Sequence, residues 1–231
     1  MREIVFDTET TGLSPQNGDR LVEIGCLEMI NRVETGRTFH SYFNPGRPMP
    51  SEAEAVHGLS DRFLSDKPAF AEKVADLLAF IGDSPLVAHN ATFDFGFINN
   101  ELVTCGHAPV CSSRMIDTLS IARMKFPGAK HSLDALCARF GVDRSARVKH
   151  GALVDAQLLA QVYIELTGGR QIGLTLVAEA IVPEECDAAV EVADLIIATV
   201  RPPRPHEPSP GELARHAAFL ARIKDPIWNR L

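Results

Sequence analysis

The chain has 231 residues, a length that suits one ordinary domain with an appendage, or two very small ones. Hydrophobic residues make up 45% and charged residues 23%, a globular mix, and no apolar run approaches the ~18 residues that span a bilayer. The net charge of −7 argues against a protein that holds long nucleic acid unaided, because such proteins present a basic stripe. The opening MREIVFDTE carries one basic residue and no long apolar core before charges begin, so no secretory leader and no membrane association are expected. The five cysteines (Cys26, Cys105, Cys111, Cys137, Cys186) are odd in number and form no CxxC pair. They suggest neither a disulfide framework nor a structural zinc site, and a reduced, cytoplasmic setting is expected.

The first region reads as α/β. EIVFD (3–7) is a short apolar strand ending in an acid, RLVEIGCLEMI (20–30) a second strand and TGRTFHSYFNP (35–45) a third, with gaps short enough for hairpins. Residues 68–82 place Phe70, Val74, Leu77, Leu78 and Ile81 at helical spacing. PLVAH (85–89) is a short buried strand, and a helix follows over 92–102. Further helices are predicted at 117–125, 131–140 and 151–166. Three meandering strands followed by alternating helices and strands predict a mixed sheet with helices on both faces.

Composition changes after Thr167-Gly168-Gly169, a helix stop and flexible joint. Residues 171–200 hold six acidic and no basic residues, whereas 201–231 hold six basic and three acidic residues and six of the 15 prolines. The expected organisation is a domain at 1–168, a linker at 169–200 and a tail at 201–231. RPPRPHEPSP (201–210) favours an extended, polyproline-like chain. Ser209, Pro210 and Glu212 then form a capping box with proline at the first helical position. In the helix that follows, Leu213, His216, Ala217, Phe219, Leu220 and Ile223 fall on one stripe opposite Arg215 and Arg222. With Trp228 near the end, this has the form of a partner-docking element; packing back on its own domain is the alternative.

Three clusters carry chemistry. Asp7 and Glu9 are two apart in an extended segment and share a side, and two close carboxylates favour a cation between them. Oxygen ligands suit Mg²⁺ or Mn²⁺. Asp94 in HNATFDFGF (89–97) follows a strand and stands in the first turn of a helix, where the helix dipole favours a carboxylate in any case. His89 and Asn90 lie on the loop just before it; His89 could equally be a buried histidine. His150 and Asp155 are five apart, about 140° around a helix, so both serve one site only if His150 sits on the loop ahead of the helix and Asp155 points inward. Taken singly, each cluster has an ordinary reading: strand-end acids, a helix cap, an exposed histidine.

Taken in order, the clusters resemble the DnaQ-like exonuclease superfamily, whose pattern is D-x-E, a middle Asp and H-x-x-x-x-D. The five matching residues are Asp7, Glu9, Asp94, His150 and Asp155. The resemblance implies an RNase H-like fold and a two-metal phosphodiesterase. Asp7 would bridge both ions, Glu9 and Asp155 would complete one, Asp94 would support the other, and His150 would be the general base. SEAEAVHGLSD (51–61) looks like the segment that lines the nucleotide pocket in this family, and implicates Glu52 and His57; from the residues alone it is a polar turn. Gln171, Leu174 and Leu176 (Q-x-x-L-x-L) are similar to peptides that dock on the bacterial sliding clamp, although a plain linker reads equally well.

Phrases that no chemistry demands, such as SLDALCARF, extend the resemblance along the whole chain to the proofreading subunits of bacterial replicative polymerases. That implies removal of mismatched 3′ nucleotides as dNMP, with the tail held by the polymerase's catalytic (alpha) subunit and the active site receiving a single-stranded 3′ end of DNA. The acidic balance fits a subunit whose partner grips the DNA. A free-standing RNA or oligonucleotide exonuclease, or mainly a structural bridge between polymerase and clamp, are the alternatives.

Overall fold

The computed structural model describes residues 1–145, 149–169 and 207–223. The chain divides into two units, Met1–Leu176 and Val177–Leu231. Strands β1 (Arg2–Thr10), β2 (Leu21–Ile30) and β3 (Val33–Tyr42) form the expected antiparallel meander. Two short helices, α1 (Ser51–His57) and α2 (Asp61–Leu64), lead to α3 (Phe70–Ile81). Strand β4 (Leu86–Ala88), helix α4 (Ala91–Thr104) and strand β5 (Met115–Asp117) follow. Helices α5 (Thr118–Lys125), α6 (Leu133–Phe140) and α7 (Ala152–Leu166) complete the first unit. The sheet order is β3-β2-β1-β4-β5, with β4 and β5 added parallel to β1.

Alternation along β1 sets the two cores. Ile4 and Phe6 point to α3 and α4, where they pack with Val74, Leu77, Phe95, Ile98 and Leu102. Val5 points the other way and packs with Leu27, Met29, Leu159 and Tyr163 of β2 and α7. Both faces of the sheet are thus covered, as the mixed strand pattern demands. The ion pair of Arg20 with Glu101 (2.7 Å and 2.8 Å, both oxygens engaged) ties the start of β2 to α4.

Three expectations need correction. The strand that begins at residue 3 does not end at Asp7 but continues to Thr10, because β2 keeps pairing with it to Leu21. On its other side β1 pairs with β4 only at Ile4 and Val5, so beyond Phe6 that edge opens into a notch. Residues 51–57 form α1 rather than a polar turn, closed by Gly58 at φ 79°. Strand β5 is absent from the sequence reading, since three residues carry no periodicity to read.

The second unit contains α8 (Pro210–Leu220). Its capping box is formed as predicted: Ser209 Oγ accepts from the Glu212 backbone N–H, and Glu212 Oε2 accepts from the Ser209 N–H at 2.8 Å. Leu213 and Phe219 are more than half exposed. The clamp-like residues Gln171, Leu174 and Leu176, and Trp228, lie outside the described residues.

Candidate active site

All five residues of the pattern meet at the notch. Asp7, Glu9, Asp94, His150 and Asp155 line one pocket of about 290 Å³ together with Thr8, His89 and Phe93. Asp7 and Glu9 come from the α7 side of β1, opposite Gly25 and Glu23 of β2. Asp94 comes from the first turn of α4 on the other face. The open end of the sheet is the place where side chains from both faces can converge.

Helix α7 reaches the site because of Gly25. A methyl group there would overlap the backbone of Ala152 and Leu153. Glycine in the interior of a strand marks just such a close approach. The first turn of α7 therefore lies against β2 beside Asp7, and Asp155, 3% exposed, projects over the strand. Gly151 is the residue before the helix, and His150 stands on the loop ahead of it. His150 Nδ1 is 3.1 Å from Asp155 Oδ2. A ring that donates its Nδ1–H to this carboxylate has Nε2 as its basic nitrogen.

Asp94 is 3% exposed, and Thr8 Oγ1 donates to its Oδ1 at 2.6 Å. Burial pushes the Asp94 carboxyl up to about 7, against the opposing pull of the Thr8 hydrogen bond. A cation would reverse that balance and favour the charged form. The turn bearing Asp94 is fixed from β5: Asp117 Oδ1 accepts from the N–H groups of Asn90 (3.0 Å) and Ala91 (3.3 Å). It also accepts from Leu119 N–H at the start of α5. Next to it, Thr118 Oγ1 is 2.9 Å from His89 Nδ1, and burial lowers the pKa of His89.

The residues present fit a divalent cation. Donor atoms of Glu9, His150 and Asp155 lie within 4.8 Å of one another, and Asp7 lines the same pocket. Carboxylate oxygens are the ligands that Mg²⁺ and Mn²⁺ select.

A second pocket of about 400 Å³ shares Thr8, Glu9 and Phe93 with the first. Glu52 and His57 line it, along with Thr11, Leu13 and Val56. His57 is 6% exposed, and its Nδ1 accepts from Leu59 N–H at 3.0 Å, so the ring proton sits on Nε2. Burial lowers the pKa of this ring; the Thr10 backbone offsets it in part, yet Nε2 completes no hydrogen bond among the described residues. A buried donor needs an acceptor, and this ring stands in the wall of the pocket. Thr8, Gly25 and Asp117 do not stand out in the sequence; of these only Gly25, a glycine inside a strand, carries a readable signal.

Residues 4–163 match the Exonuclease family (RNase_T). Among solved structures, exonuclease X in complex with 5′-overhanging duplex DNA has a TM-score of 0.56 at 26% identity, over 71% of this chain and 90% of its own. Escherichia coli exonuclease I in complex with an oligonucleotide has a TM-score of 0.64 at 16% identity, over 72% of this chain and 41% of its own, a likeness of fold. The chain belongs to the Exonuclease family, with an RNase H-like fold and its acidic site at the open end of the central strand. The DNA polymerase III subunit epsilon of Rickettsia felis is 48% identical over 231 residues, 96% of this chain and 97% of the relative. That of Escherichia coli strain K12 is 46% identical over 176 residues, 73% of this chain and 72% of the relative. Within the family the chain groups with these epsilon subunits, and its role is that of a proofreading 3′→5′ exonuclease.

Two outcomes follow from the geometry. Gly25→Ala should cost about 2 kcal/mol of stability through overpacking and lower turnover further than that loss explains, because α7 must lift from β2. Urea unfolding and exonuclease rates on the same preparation check this, and a variant with full activity would show that the close approach does not hold the site. The second concerns Asp94. A carboxyl protonated more readily in the folded chain contributes stability below its ordinary value of 3.8 and loses it as pH rises to about 7. In EDTA, wild type should therefore weaken relative to Asp94→Asn between those pH values, read from urea midpoints. Parallel profiles would show that Asp94 ionises normally.

Proposed function

We propose that the chain removes the 3′-terminal nucleotide of a DNA strand as dNMP by two-metal phosphodiester hydrolysis, while its tail is held by the catalytic subunit of the polymerase. The observation that carries this reading is the convergence of Asp7, Glu9, Asp94, His150 and Asp155 on one pocket. Two divalent cations, Mg²⁺ or Mn²⁺, would supply activation of the nucleophile and neutralise charge on the leaving oxygen. Asp7, Glu9 and Asp155 would hold one, and Asp7 with Asp94 the other. His150 Nε2 takes the proton from the attacking water, with Asp155 fixing the ring through Nδ1. Glu52 and His57 hold the terminal nucleoside in the adjoining pocket, where the neutral His57 ring offers its Nε2–H to an oxygen of the nucleotide.

In the 1–168, 169–200 and 201–231 organisation, the domain supplies chemistry, the linker reach and the tail docking. The amphipathic helix α8 presents Leu213 and Phe219 as apolar anchors for the polymerase. Gln171, Leu174 and Leu176 would be a sliding-clamp contact within the linker. The setting is the bacterial cytoplasm, at the replisome; no helix among the described residues is long and apolar enough to cross a membrane.

The test is Mg²⁺-dependent digestion of a 5′-labelled primer with a mismatched 3′ end. Asp7→Ala should abolish the ladder. His150→Ala should lose about 10²–10⁴-fold in turnover yet still take up Mn²⁺ in a calorimetric titration. A ladder that ignores the metal or Asp7→Ala would sink the hydrolytic reading, and unchanged turnover in His150→Ala would remove the base. For the tail, the full chain carrying Leu213→Asp and Phe219→Asp should digest DNA normally but no longer co-elute with the polymerase catalytic subunit. Unimpaired co-elution would place the docking element elsewhere.

A further inference from the structure

The chain is acidic overall, at −7, yet residues 118–150 hold seven basic and two acidic side chains. Positive charge is thus concentrated in the stretch that leads into His150. Two of these basic side chains, Arg144 and Lys149, line a groove of about 880 Å³ beside the end of α6, together with Asp134 and Asp143 among others. The groove adjoins the catalytic pocket: Asp134 and His150 line both.

The two cations are held differently. Arg144 Nη1 lies 3.0 Å from Asp134 Oδ1, with both side chains about half exposed. A pair in that setting contributes little and exchanges readily for a phosphate. Lys149 reaches from the segment ahead of α7 across to Gly58, the cap of α1. A methyl group on Gly58 would stand 2.7 Å from Lys149 Cδ and 2.9 Å from Nζ. Burial is the main cause that lowers the His57 pKa; Thr10, Glu23 and Glu54 oppose it, and the Lys149 charge adds to the lowering least of all. Lys149 therefore stands between the nucleoside pocket and the groove, beside the histidine that walls the catalytic pocket.

We propose that this groove holds the sugar-phosphate backbone of the DNA strand just upstream of its 3′ end, with Arg144 and Lys149 as the phosphate contacts. The inference rests on the exonuclease reading above. With the terminal nucleoside against His57 and its phosphate at the carboxylates, the upstream strand would leave the pocket past His150, which also lines the groove. The cluster of acids at the catalytic pocket repels a polyanion, and cations bound there neutralise only the phosphate under attack. Upstream phosphates need positive charge from the protein, and Arg144 and Lys149 are the cations that line this groove, with Arg144 released from Asp134 when a phosphate takes its place.

The experiment compares two substrates with the full chain and Mn²⁺: a short single-stranded oligonucleotide, and the p-nitrophenyl ester of thymidine 5′-monophosphate, which has no upstream strand. In Arg144→Ala/Lys149→Ala the ratio of oligonucleotide to ester kcat/KM should fall about tenfold, chiefly through the oligonucleotide KM. The log–log salt slope of oligonucleotide kcat/KM should flatten by about 1.4, since each single-strand phosphate released from a cationic side chain removes ~0.7. Arg144→Lys/Lys149→Arg should restore ratio and slope. A double alanine variant with the wild-type ratio and salt slope overturns the groove assignment, even if both substrates slow together. Failure of the wild-type chain to cleave the ester or the oligonucleotide would instead overturn the exonuclease reading itself.

Discussion

A helix can rest its backbone on a β-strand only where the strand carries no side chain. Gly25 supplies that place, opposite Asp7 on the neighbouring strand. The rest of the site depends on it. With α7 seated there, the buried Asp155 faces Asp7 and Glu9, and the loop before the helix delivers His150 to the same pocket. The apolar remainder of α7 then packs on Val5, Leu27 and Met29, so the burial that stabilises the fold also fixes the acids of the pocket. Core and site share one helix, and a shift of that helix would disturb both together.

The penalty of this arrangement is electrostatic. Five carboxylates line one pocket, two of them at about 3% exposure. At Asp94 desolvation disfavours the charged form. The chain offsets this locally. Thr8 donates to Asp94, His150 faces Asp155, and Asp117 fixes the turn that bears Asp94 without joining the pocket. What local hydrogen bonds leave unbalanced is what divalent cations would complete. The same accumulation of negative charge makes the pocket hostile to DNA until a cation is bound, which couples substrate approach to metal loading.

Much of this is legible in the sequence because periodicity and order are local properties. Phe70, Val74, Leu77 and Ile81 announce α3, and Ser209 with Glu212 announces the start of α8. The condition that His150 precede a helix from which Asp155 points inward comes from helix geometry alone, and the structure meets it. The parts that escape a sequence reading are those fixed by contacts distant along the chain. Strand β5 is three residues long and exists because β4 pairs with it. Thr8 lies between Asp7 and Glu9 and shows its purpose only when Asp94, 86 residues away, arrives beside it. His57 and Glu52 have no physical signal of their own; a pocket shared with Glu9 and Phe93 gives them one.

The acidic balance that first argues against nucleic-acid binding has a structural sense. A groove in which Arg144 and Lys149 stand beside Asp134 and Asp143 would supply only weak attraction for a strand, since each phosphate contact is screened by salt. Weakness suits a proofreader. A site that gripped duplex ends tightly would compete with the polymerase for correctly paired primers, whereas a weak site acts only on ends that have already frayed. Association with the polymerase raises the effective concentration of such an end to the millimolar range when a flexible linker of suitable length joins the two. Affinity that the catalytic unit lacks would then come from tethering, and selectivity from the cost of unpairing a correct end rather than from recognition of the wrong base.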